Sequence, residues 1–452
     1  MRSMMKALIV ICACAMFVVG CSGNGGAKPS ASNAGSNGTA TQAPAKEADK
    51  PAGEKVELSF YYPVAVGGPI TEVIENMAKD FMAENPDITV KPVYTGSYAD
   101  TMVKAQAAIQ GKTPPDLAVL LSTELFTLLD MDAIEPLDEL IAADGGDEYL
   151  KDFYPAFLAN GQTDGKTWSI PFQRSTIVLF YNKEMFKAAG LDPEKAPATW
   201  EELADSAKKL TKDGQWGLEI PSTGFLYWMF QTFALQSGDN IMTQDGKKVF
   251  FDTPENVQSM QFWRDLAAVH KAMPEGAIEW GTVPSDFIEG KTAMMYHTTG
   301  NLTNVKNNAK FDFGVAMLPK NKQYGTPTGG GNFYMFKGIS EAKKQAAWKF
   351  IKFMTESERI AQWSIDTGYV APRISAYETD KMKTYAQEFP AALVARDQLQ
   401  YASAELSTHN NGKVSKIFSD AIQSVLTGSS DSATALKKAQ EEADKALAPF
   451  NK

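Results

Sequence analysis

Residues Ile170–Gly190 read IPFQRSTIVLFYNKEMFKAAG, and the placement of this stretch decides the fold. Its middle, Thr176–Tyr181, is a short apolar run of β-branched and aromatic residues, the composition of a strand buried on both faces. The preceding Gln173-Arg174-Ser175 is too polar for an ordinary core. Asn182 ends the run, and a helical pattern starts at Lys183. A buried strand with exposed polar ends fits two placements: a crossover between two lobes, or the central strand of one sheet.

Upstream, Val56–Tyr62 alternates apolar and polar residues and reads as a strand. Ile70, Val73, Ile74, Met77 and Phe81 then share one face of a helix that Asn85-Pro86 stops. Ile88–Tyr94 is a second strand, about Tyr98–Gln110 a second helix, and Leu117–Leu121 a third, unbroken apolar strand. This β-α-β-α-β order implies right-handed crossovers and a parallel sheet. Ligands on such sheets sit beyond the carboxyl ends of strands, which groups Tyr61-Tyr62, Gly96-Ser97-Tyr98 and Leu121-Ser122.

Downstream, Thr199-Trp200-Glu201-Glu202 opens a capped helix. Gly224–Gln236 holds Phe225, Tyr227, Trp228, Phe230 and Phe233; a helix needs about half of these for its core, leaving Tyr227 or Trp228 for a cleft. Strands follow at Lys291–His297, Phe313–Leu318 and Phe333–Phe336, the last after Gly329-Gly330-Gly331-Asn332. Gly300-Asn301 stands at a helix start, and Thr367-Gly368-Tyr369 forms a turn. Two helices, about Gly412–Leu426 and Ser432–Leu447, complete the chain.

With 452 residues, two domains are expected. A net charge of −10 and no basic stripe argue against nucleic acid as a partner. Arg2 and Lys6 precede an apolar run, Ala7–Val19, too short to span a bilayer, which fits a signal peptide. Val18-Val19-Gly20-Cys21 resembles a lipobox, which implies removal of 1–20 and lipid attachment at Cys21. The other cysteines, Cys12 and Cys14, leave with the leader, so disulfides and thiolate chemistry are excluded from the body. Residues 22–55, rich in Gly, Ser, Ala, Asn, Thr and Pro, read as a flexible tether.

The deciding stretch resembles the extracellular solute-binding proteins of ABC importers, and is most similar to the glycerol-3-phosphate and sugar-binding lipoproteins. Pro171-Phe172, Ser175-Thr176, Tyr181-Asn182-Lys183 and Ala189-Gly190-Leu191-Asp192-Pro193 carry the likeness. Glu84-Asn85-Pro86, Gly111 with Pro114-Pro115-Asp116, Gly314-Val315 with Pro319, Gly329–Gly331 and Thr367-Gly368-Tyr369 extend it over the body. The resemblance implies an α/β fold of two lobes, each a mostly parallel sheet flanked by helices, with a multi-stranded hinge. It places 56–181 and 291–325 in the N-terminal lobe, and 182–290 and 326–452 in the C-terminal lobe. It also implies an ABC permease as partner, a monomer, and a position on the extracytoplasmic face of the cell membrane. In the glycerol-3-phosphate members, contacts match Tyr98, Ser175, the Gly330 region and Tyr369. A serine there falls at or near Asn301, and a tryptophan matches Tyr227 or Trp228. Two departures stand out: a glutamate near Leu121, and a phosphate-binding arginine near Ser407, are absent here.

Other chemistry fails on spacing. Gly111-Lys112-Thr113 and Gly290-Lys291-Thr292 lack the glycine five residues earlier that a phosphate loop needs; those positions hold Gln106 and Ser285. His270, His297 and His409 are too scattered for zinc; no metal and no cofactor is expected. His297 and His409 fall near the inferred cleft, with structural and functional roles both open. No Gly-x-Ser-x-Gly elbow appears, so no catalytic residue is assigned. A glycosidase acid pair among 54 acidic residues remains the enzyme alternative, and a purely structural surface protein is the third class.

A saccharide needs an aromatic platform plus neutral donors and acceptors. The candidates are Tyr62, Tyr98, Tyr227, Trp228, Tyr369, Ser175 and Asn301, with Arg174 and the backbone near Gly330 as partners for a phosphate. A neutral saccharide is the favoured ligand; glycerol-3-phosphate or a glycerophosphodiester is the alternative.

Overall fold

The computed structural model describes residues 55–451 except 239. The expected leader, Cys21 and the tether up to residue 54 lie outside the described residues.

Val56–Tyr62 pairs in parallel with Ile88–Tyr94 on one side and Leu117–Leu121 on the other, with the helices Ile70–Glu84 and Tyr98–Gln110 as crossovers. Ile70, Ile74 and Phe81 are buried, as their spacing requires. Phe81 and Phe60 meet Phe350 edge to face at 5.1 and 5.3 Å, which ties the helix Glu341–Met354 to this sheet.

The deciding stretch is a 14-residue strand, Ser169–Asn182, buried at every position. Ser169–Thr176 pairs antiparallel with the strand Thr326–Met335; Ile177–Asn182 pairs antiparallel with Met294–Thr298 and Phe313–Ala316. Thr326–Met335 also pairs antiparallel with Leu117–Leu121. Two long strands therefore pass between the parallel sheet and a second group of strands.

Three expectations change here. Gln173-Arg174-Ser175 is not an exposed end: all three residues are buried within the strand. They are tolerated there because Gln173 accepts a hydrogen bond from Tyr98 and Arg174 donates to acceptors on the neighbouring strand. The glycine run does not precede a strand at Phe333 but lies within Thr326–Met335. Gly330, at φ +93°, lets the two long strands approach so closely that a Cβ would fall 1.8 Å from the Gln173 carbonyl oxygen. The strand pairing also groups 291–325 with the residues that follow the long strand, through Trp216↔Thr292 and Glu219↔Met295, and not with the parallel sheet. The helix Glu341–Met354 makes the opposite exchange. Family-scale landmarks place crossings in order; hydrogen-bond register decides which side each segment joins.

The helix Leu226–Ser237 is buried all round, so every aromatic on it is inside. The closing helices, Asn411–Leu426 and Ser432–Leu447, pack beside it; Phe418 stands edge-on to Phe230 at 5.3 Å and stacks on Phe251 at 3.9 Å.

Candidate ligand-binding site

The carboxyl ends of the parallel strands open onto a cleft of about 700 Å³. Its walls include Val64–Gly67, Tyr98, Leu121 and Glu124 on one side, and Phe225, Tyr227, Trp280, His297 and Asn301 on the other. A small chamber of about 30 Å³ adjoins it, where Ser175, Trp228, Gly330, Tyr369 and Glu405 join Tyr98, Phe225 and Trp280. Seven of the nine expected residues thus meet here: Tyr98, Ser175, Tyr227, Trp228, Asn301, Gly330 and Tyr369.

Local sequence explains their placement. Ser97 caps the helix Tyr98–Gln110: its hydroxyl accepts the Asp100 N–H, and Asp100 accepts the Ser97 N–H. This box fixes Tyr98 at the helix start, where its hydroxyl donates to Gln173 Oε1 at 2.7 Å. Tyr369 follows Gly368, which ends its helix in the left-handed conformation, and its ring stacks on Trp363 at 5.6 Å. Burial pushes both phenols well above the usual tyrosine range, so both stay neutral. The Trp228 indole N–H donates to the Thr328 carbonyl at 2.8 Å, and its ring lies over Gly329, where a Cβ would come within 2.3 Å. The Tyr227 hydroxyl donates to Glu405 Oε1 at 2.9 Å.

Two expected residues do not reach the cleft. Tyr62 shares the buried face of its strand with Leu58 and Phe60, and its hydroxyl bonds Glu75 at 3.3 Å. Strict strand alternation puts it in the core. Arg174 is wholly buried and turned into the strand interface: its guanidinium donates to the Gly330 carbonyl, Asn332 Oδ1 and Thr328 Oγ1 at 3.1–3.2 Å. Burial lowers its pKa to about 10, so it keeps its charge at neutral pH. It is a clamp between strands, and the described residues lining cleft and chamber include no lysine or arginine.

The structure adds residues that sequence reading missed. Phe225, Trp228 and Trp280 make an aromatic corner, with Phe225 and Trp280 edge to face at 4.8 Å and Trp228 and Trp280 at 6.2 Å. The Trp280 indole N–H donates to the Ala65 carbonyl at 3.2 Å, joining opposite walls of the cleft. His297 stands behind Trp280, ring to ring at 4.0 Å. Gly67 N–H donates to Asn301 Oδ1, which leaves the Asn301 amide N–H for His297 Nδ1 at 3.0 Å; the ring proton is therefore on Nε2 and donated to the Trp280 carbonyl. Burial lowers the His297 pKa to about 4, so it is neutral and positions Trp280. His409 lies elsewhere, paired with Asp130 at 2.7 Å and stacked on Phe450. Glu124 and Glu405 bring two carboxyl groups, both raised by burial, Glu405 to about 8. Trp280 sits in a short aperiodic loop and Glu405 in an extended polar stretch, so neither carried a pattern to find it by.

The model of a bacterial extracellular solute-binding protein family matches residues 76–391. The chain is 29% identical over 405 residues to the sn-glycerol-3-phosphate-binding periplasmic protein UgpB of Salmonella paratyphi A, covering 85% of this chain and 91% of that one. Among solved structures, UgpB from Mycobacterium tuberculosis in complex with glycerophosphocholine superposes with a TM-score of 0.77 at 24% identity, over 87% of this chain and 99% of the other. The cyclic α-maltosyl-1,6-maltose binding protein from Arthrobacter globiformis gives 0.74 at 25% identity, over 87% and 99%. Maltose-bound MalE3 of T. maritima gives 0.75 at 24% identity, over 86% and 98%.

Proposed function

Because the chain belongs to the bacterial extracellular solute-binding proteins, we propose that it captures a neutral saccharide in this cleft and hands it to the permease of an ABC importer. The observation that carries this reading is the lining itself: aromatic faces, neutral hydroxyls and two carboxyl groups, without a lysine or arginine among the described residues. A sugar offers apolar C–H faces to such rings and hydroxyls to such acceptors. The relatives that bind maltose and cyclic maltosyl-maltose support the carbohydrate class. The relatives that bind glycerol-3-phosphate or glycerophosphocholine favour the alternative. Against that alternative stands the need of a phosphate for cationic partners, since Arg174 is committed to its strand neighbours.

In this reading the protein binds without turnover, acts as a monomer, and is held by a lipid on Cys21 at the outer face of the cytoplasmic membrane. A ligand touching both walls stabilises the closed form by its higher affinity for that form and raises the melting temperature by mass action. A thermal-shift screen of mono- and oligosaccharides, glycerol-3-phosphate and glycerophosphodiesters tests this, with product analysis on each hit. Stabilisation by saccharides with the ligand recovered intact is the expected result. Shifts confined to phosphorylated ligands overturn the saccharide assignment, and cleaved product overturns binding without turnover.

A further inference from the structure

Glu405 is held more firmly than a residue in an extended stretch needs. Asn160 clamps its main chain from both sides, accepting the Glu405 N–H and donating to the Glu405 carbonyl, each at 2.9 Å. One carboxyl oxygen, Oε1, takes the Tyr227 hydroxyl. The other, Oε2, is buried without a partner among the described residues, and the residue lines the small chamber beside Tyr98 and Trp280. A buried carboxyl group with one oxygen unpartnered is destabilising whether or not that oxygen carries the proton, so its retention here points to a partner that arrives with the ligand.

The charged and titratable groups facing Glu405 come from every element around it: Arg174 and Tyr334 on the long strands, Glu124 beyond the third parallel strand, and Tyr98 and Tyr227 at their helix starts. Burial is the largest influence and raises its pKa. Arg174 and the Tyr227 bond lower it, Glu124 raises it, and the balance is about 8. Without ligand, the acid is mainly protonated at neutral pH.

We propose that Glu405 is the specificity-determining residue of the cleft: its free oxygen accepts a hydroxyl of a polyhydroxy ligand, and binding drives the acid's own proton out to solvent. This rests on the reading that the cleft captures a saccharide. The ligand is chemically unchanged. The carboxylic O–H breaks, its proton goes to the buffer, and an O–H···Oε2 hydrogen bond forms. The ionised acid then holds two donors, the ligand and Tyr227, with Arg174 close by to balance its charge. Hydrogen bonds to an ionised acceptor are about twice as strong as neutral ones, which is what displaces the proton. The same carboxylate repels a phosphate, so the residue selects for hydroxyls.

The test is titration calorimetry of the mature protein with maltose, mannobiose, glycerol-3-phosphate and glycerophosphocholine, near pH 7, in two buffers of different ionisation enthalpy. A binding saccharide should release about one proton. Its affinity should rise by up to about tenfold per pH unit as the pH approaches 8, then level off. E405Q should bind at least about tenfold more weakly, with a flat pH profile and no proton release. Equal affinity in E405Q, an unchanged proton release, or a release abolished by E124Q and kept in E405Q overturns the proposal. Should E405Q fail to fold, Y227F takes its place: losing the Tyr227 bond should move the midpoint of the affinity profile upward, and an unmoved midpoint overturns the proposal. If only a phosphorylated compound binds, the saccharide reading falls, and selection for hydroxyls by Glu405 falls with it. A panel with no binder overturns both.

Discussion

Replacing Gly330 with alanine should force the two long strands apart. Gly330 sits at φ +93°, and a Cβ there falls 1.8 Å from the Gln173 carbonyl oxygen, a backbone atom that no rotamer change can move. Holding alanine at such a φ costs about 1–3 kcal/mol. Opening the strands enough to admit the methyl group costs a further 1–3 kcal/mol or so in overpacking. The Gly330 carbonyl accepts from Arg174 at 3.2 Å, so the shift also threatens a buried charge-assisted hydrogen bond, worth about 1–3 kcal/mol. Together these give a loss of about 3–9 kcal/mol. The roughly 400 described residues carry an unfolding entropy of about 0.8 kcal/mol per kelvin, so the melting temperature should fall by about 4–10 °C. Calorimetry on G330A beside G412A is the assay. At Gly412, inside the helix Asn411–Leu426, a Cβ meets nothing within 4 Å, and alanine should hold or slightly raise the melting temperature. A G330A protein melting within about 1 °C of wild type would refute the claim that strand approach requires glycine there.

Arg174→Lys keeps the charge but replaces a fork that reaches three acceptors with a single ammonium. With about 1 kcal/mol lost for each of two orphaned bonds, melting should fall by about 2–3 °C; an affinity loss at unchanged melting temperature would instead put Arg174 in ligand contact. His297 titrates near 4 when folded and near its ordinary 6.5 when unfolded, so the unfolded chain takes up more protons between those values. Stability should therefore drop as pH falls from about 6.5 towards 4, and H297Q should flatten that slope in a denaturant series run across the window. Glu405 acts in the opposite sense: its raised pKa makes the folded state the better proton binder, so its contribution is lost as pH rises from about 4.5 to about 8, and E405Q should remove that decline. Cys21→Ala should release the protein from cells into the medium, read by immunoblot of culture fractions; undiminished membrane retention would refute the anchor.

Periodicity made the parallel half of the fold legible. Val56–Tyr62, Ile88–Tyr94 and Leu117–Leu121 appear as strands at the bounds their apolar patterns set, and the switch to helical spacing between them forces parallel pairing. Tyr98 was legible because it stands beyond the carboxyl end of a parallel strand, and Tyr369 because it directly follows a glycine in a turn. Tyr62 was misplaced by its position at a strand end, although alternation from Leu58 and Phe60 already assigned it to the core. Gln173 and Arg174 were misread for a different reason. A polar residue is excluded from a core only when it lacks partners, and their partners come from helix Tyr98–Gln110 and from Thr328, Gly330 and Asn332, about 75 to 160 residues away in the chain. No window-based reading sees such a pair until the strands are in register.

The charge of the cleft follows from the same register. The long strand brings one buried cation, Arg174, and the stretch before the helix Asn411–Leu426 brings one buried acid, Glu405. They are not paired with each other: Arg174 faces the strand interface, and Glu405 lines the chamber. Reversing those orientations would give a site for an anion from the same two residues. What prevents it is Gly330. Its left-handed backbone brings its carbonyl and the neighbouring Asn332 and Thr328 side chains within reach of the guanidinium, and three neutral acceptors hold the cation away from the cleft. A glycine first noticed as a possible phosphate contact thus commits the Arg174 guanidinium to three strand acceptors and leaves it out of the lining, which the proposed reading gives to a ligand built of hydroxyls.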